Sequence, residues 1–203
     1  MTSPKIHRDA KADHLLTPEN AAVLIIDYQP VQVGSIVTMN KRSLVSNVVA
    51  VAKIAKLYGL PIVVTSVNVE TGLNKPTIHQ ITDVLPGQKV IDRTSINAWE
   101  DEDFVAAVEA TKRKKLIMVA LWTEVCLVFP ALDAMKAGFE VYPVVDAVGG
   151  TSEEAHRAGL ERMVQAGAQP VSWIQLACEL QRDWVREETA AGFAEIVFAE
   201  VGH

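Results

Sequence analysis

Residues 21–27 read AAVLIID, six apolar side chains followed by a carboxylate, and this run decides the fold. A continuous apolar stretch leaves no polar face for solvent, so as a strand it must be covered on both sides, as in a parallel sheet. The same signature returns at 61–67 (PIVVTSV) and 115–121 (KLIMVAL), with shorter strand patterns at 88–93, 139–146 and 169–173. Helical spacing fills the intervals. Leu44, Val48, Val51, Ala55 and Tyr58 share one face before Gly59 and Pro61 stop the pattern. Residues 101–110 (DEDFVAAVEA) open with carboxylates suited to a helix N-terminus, and 125–137 close at Gly138. Thr151 with Glu154 offers a capping box for a helix reaching Gln165, and a last helix is expected from Ile174 to about Glu188. Strands and helices alternating in this way require right-handed crossovers, which predicts a three-layer α/β/α fold. Residues 68–87, broken by Gly72, Asn74, Pro76, Pro86 and Gly87, predict a long loop.

The chain has 203 residues, 49% of them hydrophobic and 22% charged, which suits one globular core and excludes intrinsic disorder. Its net charge of −6 repels phosphate backbones and anionic lipid, so neither nucleic acid nor membrane is an expected partner. The basic run Lys112, Arg113, Lys114 and Lys115 reads as a solvated turn. Residues 1–16 carry too many charges for a signal core, and no apolar stretch is long enough to span a bilayer, so a cytoplasmic location is expected. Two cysteines, Cys126 and Cys178, are too few for a disulfide scaffold and read as free thiols. The expected organisation is a leader over 1–19, one domain over 20–190, and a tail over 191–203.

Ligands in parallel α/β sheets collect beyond the carboxyl ends of the strands. Four chemically capable residues fall there: Asp27, Arg93, Cys126 and Asp146. Asp27 closes a buried strand, where a carboxylate is costly unless paired or working, although a loop-bracing role is as good a reading. Arg93 supplies a permanent cation that can hold two acidic groups together, or else lies exposed at the surface. Cys126 lies near an expected helix N-terminus, a setting that favours a thiolate; the alternative is a small buried hydrophobe. Acid, cation and thiol together match covalent acyl transfer. Asp146, followed by Gly149 and Gly150, reads as a loop brace, Cys178 as core packing within a helix, and Trp122 as a pocket wall or core aromatic. The histidines His7, His14, His79, His156 and His203 have no metal-ligand spacing, and only His79, in the long loop, is a candidate for substrate contact.

Four segments, VLIIDYQ at 23–29, DRTSINAWEDEDF at 92–104, LWTEVCLVFPAL at 121–132 and AGAQPVSW at 166–173, resemble the isochorismatase-like cysteine hydrolases, and within them the YcaC-like branch. The resemblance covers roughly 21–188. It implies a six-stranded, mostly parallel Rossmann-like sheet and a catalytic triad of Asp27, Arg93 and Cys126. It also implies a cis peptide between Leu121 and Trp122, and an oxyanion hole built from the backbone N–H groups of Trp122 and Cys126. Arg93 stands where many relatives place lysine, a substitution found in the YcaC-like branch, and an arginine cannot shuttle protons. The loop after the second strand lacks the Asp-x-His metal motif of nicotinamidases, so neither a metal nor another cofactor is expected. The implied activity is cleavage of an amide or related C–N bond of a small molecule through a Cys126 thioester. The alternative is a ligand-binding or thiol-sensing protein on the same fold. A phosphoryl transferase using Asp27 lacks a second carboxylate for Mg²⁺ and any phosphate-binding loop. The resemblance further implies a homo-oligomer, octamers included, with the apolar segment at 192–201 (GFAEIVFAEV) as a contact.

Overall fold

Burial on both faces is what the first strand shows: every residue of β1 (Ala21–Ile26) is fully covered. The computed structural model describes residues 8–200. After β1 come α1 (Pro30–Ser35), α2 (Lys41–Leu57), β2 (Ile62–Val67), α3 (His79–Thr82), β3 (Val90–Arg93), α4 (Glu102–Ala110) and β4 (Lys115–Ala120). A π-helical turn (Thr123–Leu127) then leads into α5 (Val128–Lys136), followed by β5 (Glu140–Pro143), α6 (Glu153–Gln165), α7 (Trp173–Gln181) and α8 (Ala190–Glu200). The strands pair in parallel in the order β3-β2-β1-β4-β5. Helices α2, α7 and α8 pack together, and α4, α5 and α6 form a second group, giving the three layers. Central strand β1 registers Ile26 against Thr65 of β2 and Ala120 of β4, so the carboxyl ends of three strands finish side by side.

The sheet has five strands where six were expected. Residues 169–171 do run alongside β5, with Gln169 N–H donating to Val141 O at 2.9 Å and Val171 N–H to Pro143 O at 3.0 Å, but they form only an isolated bridge, Val144 to Val171. Val145 N–H reaches Val171 O at 2.9 Å, and two residues earlier the same pattern would need an N–H on Pro143, which has none. The ladder stops there.

Three local expectations also change. Helix α7 ends at Gln181 because Arg182 enters the left-handed region at φ 61°, and Cys178 lies exposed on its surface rather than in the core. The cap of α6 is Ser152, whose hydroxyl accepts from Ala155 N–H at 3.1 Å, while Thr151 is engaged elsewhere. Only part of the basic run is a solvated turn, since Lys115 begins β4 with its side chain 5% exposed. Its ammonium donates to the backbone carbonyls of Asp13, His14 and Leu15 at 2.8, 2.6 and 3.2 Å, with Glu140 3.9 Å away. A buried ammonium needs such acceptors, and here they come from the segment before β1, where Leu16 is fully buried.

Lys115→Met keeps the aliphatic stem but leaves the three carbonyls without their donor. Urea unfolding should show a loss of about 2–3 kcal/mol, with faster proteolysis before residue 20. An unchanged midpoint would mean that the ammonium does not anchor this segment.

Candidate active site

Asp27 follows β1 with φ 60°, a left-handed backbone that aspartate tolerates better than most residues but that still costs on the order of 1–3 kcal/mol. Its N–H continues the sheet to Thr65 O at 3.0 Å, so the kink begins at Asp27 itself. Arg93, the last residue of β3, reaches across β2 and grips the carboxylate with both terminal nitrogens, Nη1 to Oδ1 and Nη2 to Oδ2, each at 2.7 Å. Both side chains are fully buried. The guanidinium also donates to Thr65 Oγ1 at 3.2 Å, Ser66 O at 3.0 Å and Ile96 O at 3.3 Å. Burial works against the Arg93 charge, and the hydrogen bonds and charge of Asp27 more than offset it, raising its pKa.

Cys126 completes the group from the third strand end. Beyond β4 the chain winds into a π-turn, closed by Leu127 N–H donating to Trp122 O at 3.1 Å, which brings the buried Cys126 thiol under the influence of the Asp27 carboxylate and the Arg93 guanidinium. The Leu121–Trp122 peptide is cis, as the resemblance implied. Contrary to the helix-terminus expectation, the thiol pKa rises, to about 12. Burial is the main cause, the Asp27 carboxylate adds to it, and Arg93 with the Trp122 backbone only partly opposes them. At neutral pH the sulfur is therefore a protonated thiol.

Of the other residues singled out in the sequence, only Trp122 adjoins the thiol, through its backbone. Asp146 is a brace: its carboxylate accepts from Trp173 N–H at 2.9 Å and its carbonyl from Asn47 Nδ2 at 2.5 Å. His79 is exposed at the start of α3. Trp122 is half-buried, with Nε1 donating to Ser35 Oγ at 2.6 Å. No cluster of three or more metal-ligating side chains occurs among the described residues.

Several site residues went unnoticed in the sequence. Gln29 is fully buried and straps the strand ends together, donating to Val67 O and Lys75 O at 3.1 and 2.6 Å and accepting from Val67 N–H at 3.0 Å. Asp92 pins the loop after β2 by accepting from Val69 and Glu70 N–H at 3.1 and 2.9 Å. Asn97 donates to Asp133 Oδ2 at 2.7 Å, tying the turn after Arg93 to the helix after Cys126. A polar residue inside a strand-end motif was the available signal for each, but its partner lay far away in the chain.

Comparison with known proteins agrees with this architecture. The isochorismatase domain model matches residues 21–175. The chain belongs to the isochorismatase family, a hydrolase superfamily. Among its relatives is the probable hydrolase YcaC of Escherichia coli K12, 39% identical over 185 residues that cover 91% of this chain and 85% of the relative. The solved YcaC of Pseudomonas aeruginosa, described with hexane-2,5-diol and covalent acrylamide, superposes with a TM-score of 0.88 at 36% identity, covering 93% of this chain and 92% of the other. The E. coli YcaC structure, described as an octameric hydrolase of unknown specificity, also gives 0.88, at 38% identity, covering 94% and 93%.

Because the Asp27 charge helps hold the thiol proton, Asp27→Asn should lower the Cys126 pKa from about 12 and speed its alkylation at mildly alkaline pH. Arg93→Met should move it the other way. Thiolate absorbance against pH reads both, and a profile unmoved by Asp27→Asn would separate the two groups electrostatically.

Proposed function

We propose that this chain is a cysteine hydrolase that cleaves an amide or related C–N bond of a small molecule, with Cys126 as nucleophile, Asp27 as proton carrier and Arg93 as electrostatic support. One observation carries the reading: a single buried carboxylate is held on both oxygens by Arg93, and the Cys126 thiol lies within the reach of its charge. Arg93 fixes the position of Asp27 and keeps a cation beside the sulfur without itself titrating.

In the proposed reaction the sulfur attacks the substrate carbonyl as Asp27 takes its proton. The C–S bond forms and the carbonyl π electrons move to oxygen. Backbone N–H groups of Trp122 and Cys126 receive that oxyanion, a contribution worth about 10²–10³ in rate per donor. The intermediate collapses with loss of the amine, which leaves with the proton from Asp27, and a thioester remains. Water, deprotonated by Asp27, then attacks the thioester, and sulfur departs to recover its proton. The products are a carboxylic acid and an amine.

A thiol pKa near 12 means that the thiolate is formed during attack rather than stored. The same property disfavours the thiol-sensing alternative, because oxidant sensing needs a standing thiolate. Nucleophilic reactivity at a matching sulfur would account for the covalent acrylamide of the P. aeruginosa relative, since acrylamide is an electrophile toward thiols. Residues 20–190 would form the hydrolase domain, in a cytoplasmic protein that takes a small-molecule substrate and no cofactor. No helix among the described residues is long and apolar enough to cross a membrane.

Assembly as a homo-oligomer, an octamer as in the E. coli relative, belongs to the same proposal. Helix α8 supports it. Phe193 and Val197 are buried at 3% and 5%, so part of the apolar C-terminal segment serves its own subunit, while Phe198 remains 68% exposed and free to meet a neighbour.

Cys126→Ala should fold and assemble normally while its hydrolysis of a panel of amides, carbamates and ureas falls by at least about 10³-fold. Mass spectrometry of wild type with a slow substrate should show an acyl group on Cys126. Equal turnover by the variant would overturn the assigned nucleophile, and ligand binding without turnover by wild type would favour the binding-protein reading.

A further inference from the structure

Between the π-turn and the start of α6 lies a second polar group that the reaction above does not use. Thr123, fully buried at the first position of the turn, meets His156 of α6, its Oγ1 lying 2.9 Å from the imidazole Nδ1. Its N–H donates to Gly149 O at 2.9 Å. The next residue, Glu124, accepts on Oε1 from both the N–H and the hydroxyl of Thr151, at 2.9 and 2.6 Å. The loop carrying Gly149 and Gly150 is itself anchored, since Gly150 N–H donates to Thr38 Oγ1 at 3.1 Å and Gly150 O accepts from Val37 N–H at 3.2 Å.

There is no slack in this arrangement. A Cβ on Gly150 would fall 2.7 Å from Glu124 Oε2 and 2.8 Å from His156 Cβ, and one on Gly159 would fall 3.1 Å from Glu124 Cα. Glycine at these two positions lets the loop and α6 close directly onto the backbone of the turn. Turns with i to i+5 bonds are rare and occur mostly singly, frequently at functional sites, and this one is held from outside by the contacts just described.

We propose that His156 and Glu124 are positioning residues: through Thr123 and Thr151 they clamp the 122–127 turn to the start of α6 and so set the Cys126 sulfur against Asp27. The inference rests on Cys126 being the nucleophile for its catalytic consequence, although the placement of the sulfur can be read without any substrate. His156 faces Glu124 and Glu153, whose charges favour its protonation, but burial has the larger effect and lowers its pKa, so it holds Thr123 as a neutral imidazole at neutral pH.

The test uses full-length protein carrying Cys178→Ser, so that Cys126 is the sole thiol. His156→Ala should leave the fold intact by circular dichroism, reduce kcat by about tenfold or more with KM unchanged, and shift the Cys126 ionisation midpoint down from about 12 as the sulfur parts from the carboxylate. His156→Asn, whose amide occupies the place of Nδ1, should restore both. Thr123→Val, isosteric but without the hydroxyl, should reproduce the alanine effect and carries the test if His156→Ala does not fold. Glu124→Ala should act likewise, and Glu124→Gln should not. A folded His156→Ala or Thr123→Val with the wild-type thiol profile would overturn the proposal. Retained hydrolysis in Cys126→Ala would instead defeat the assigned reaction, and the thiol profile would still decide whether the clamp sets the sulfur.

Discussion

An ion pair with no access to solvent organises this molecule. Asp27 and Arg93 stand at the ends of strands separated by β2, and neither charge is tolerable there without the other. Two parallel hydrogen bonds at 2.7 Å satisfy the carboxylate in its own plane, and backbone and hydroxyl acceptors take up further guanidinium protons. The strand order that brings β3, β2, β1 and β4 to a common edge is therefore a condition for burying these charges. The sulfur from beyond β4 joins a site whose electrostatics are already set.

Burial is the main reason the thiol rests protonated, and the pair adds to it. A carboxylate held rigidly in a dry setting repels a second negative charge more strongly than one guanidinium, shared between two acids, can offset. In the proposed reaction such a site would postpone charge separation until a carbonyl is present to receive the sulfur. That ordering suits a hydrolase, because a standing thiolate would react with any electrophile that reached it. The rigidity comes from groups outside the reaction: Gln29 binding two strand ends, Asp92 holding the loop, and Asn97 linking the Arg93 turn to α5.

Much of this was legible in the chain. An apolar run ending in Asp27 marked a strand buried on both faces, a shorter strand pattern ended at Arg93, and the strand-end rule put those residues and Cys126 along one rim before any contact was known. The resemblance supplied the cis peptide before Trp122, which no local pattern encodes. What could not be read depended on long-range partners. Lys115 looked like one more surface lysine in a basic run because its acceptors lie about a hundred residues earlier. The direction of the Cys126 pKa shift was missed because proximity to a helix start was visible while burial beside Asp27 was not. The sixth strand failed through a single missing N–H on Pro143, a register effect that appears only once Val145 and Val171 are paired.

That missing donor has a consequence beyond the strand count. Sheet margins with long rows of free N–H and C=O groups act as templates for foreign strands, and proline together with very short edge segments is a common defence. Here the run outside β5 contains Pro170 and closes a single bridge against a strand that ends in Pro143. This margin offers almost no continuous ladder for intermolecular β-pairing. Copies of the chain that met along it would contact one another through side chains rather than through a shared backbone ladder.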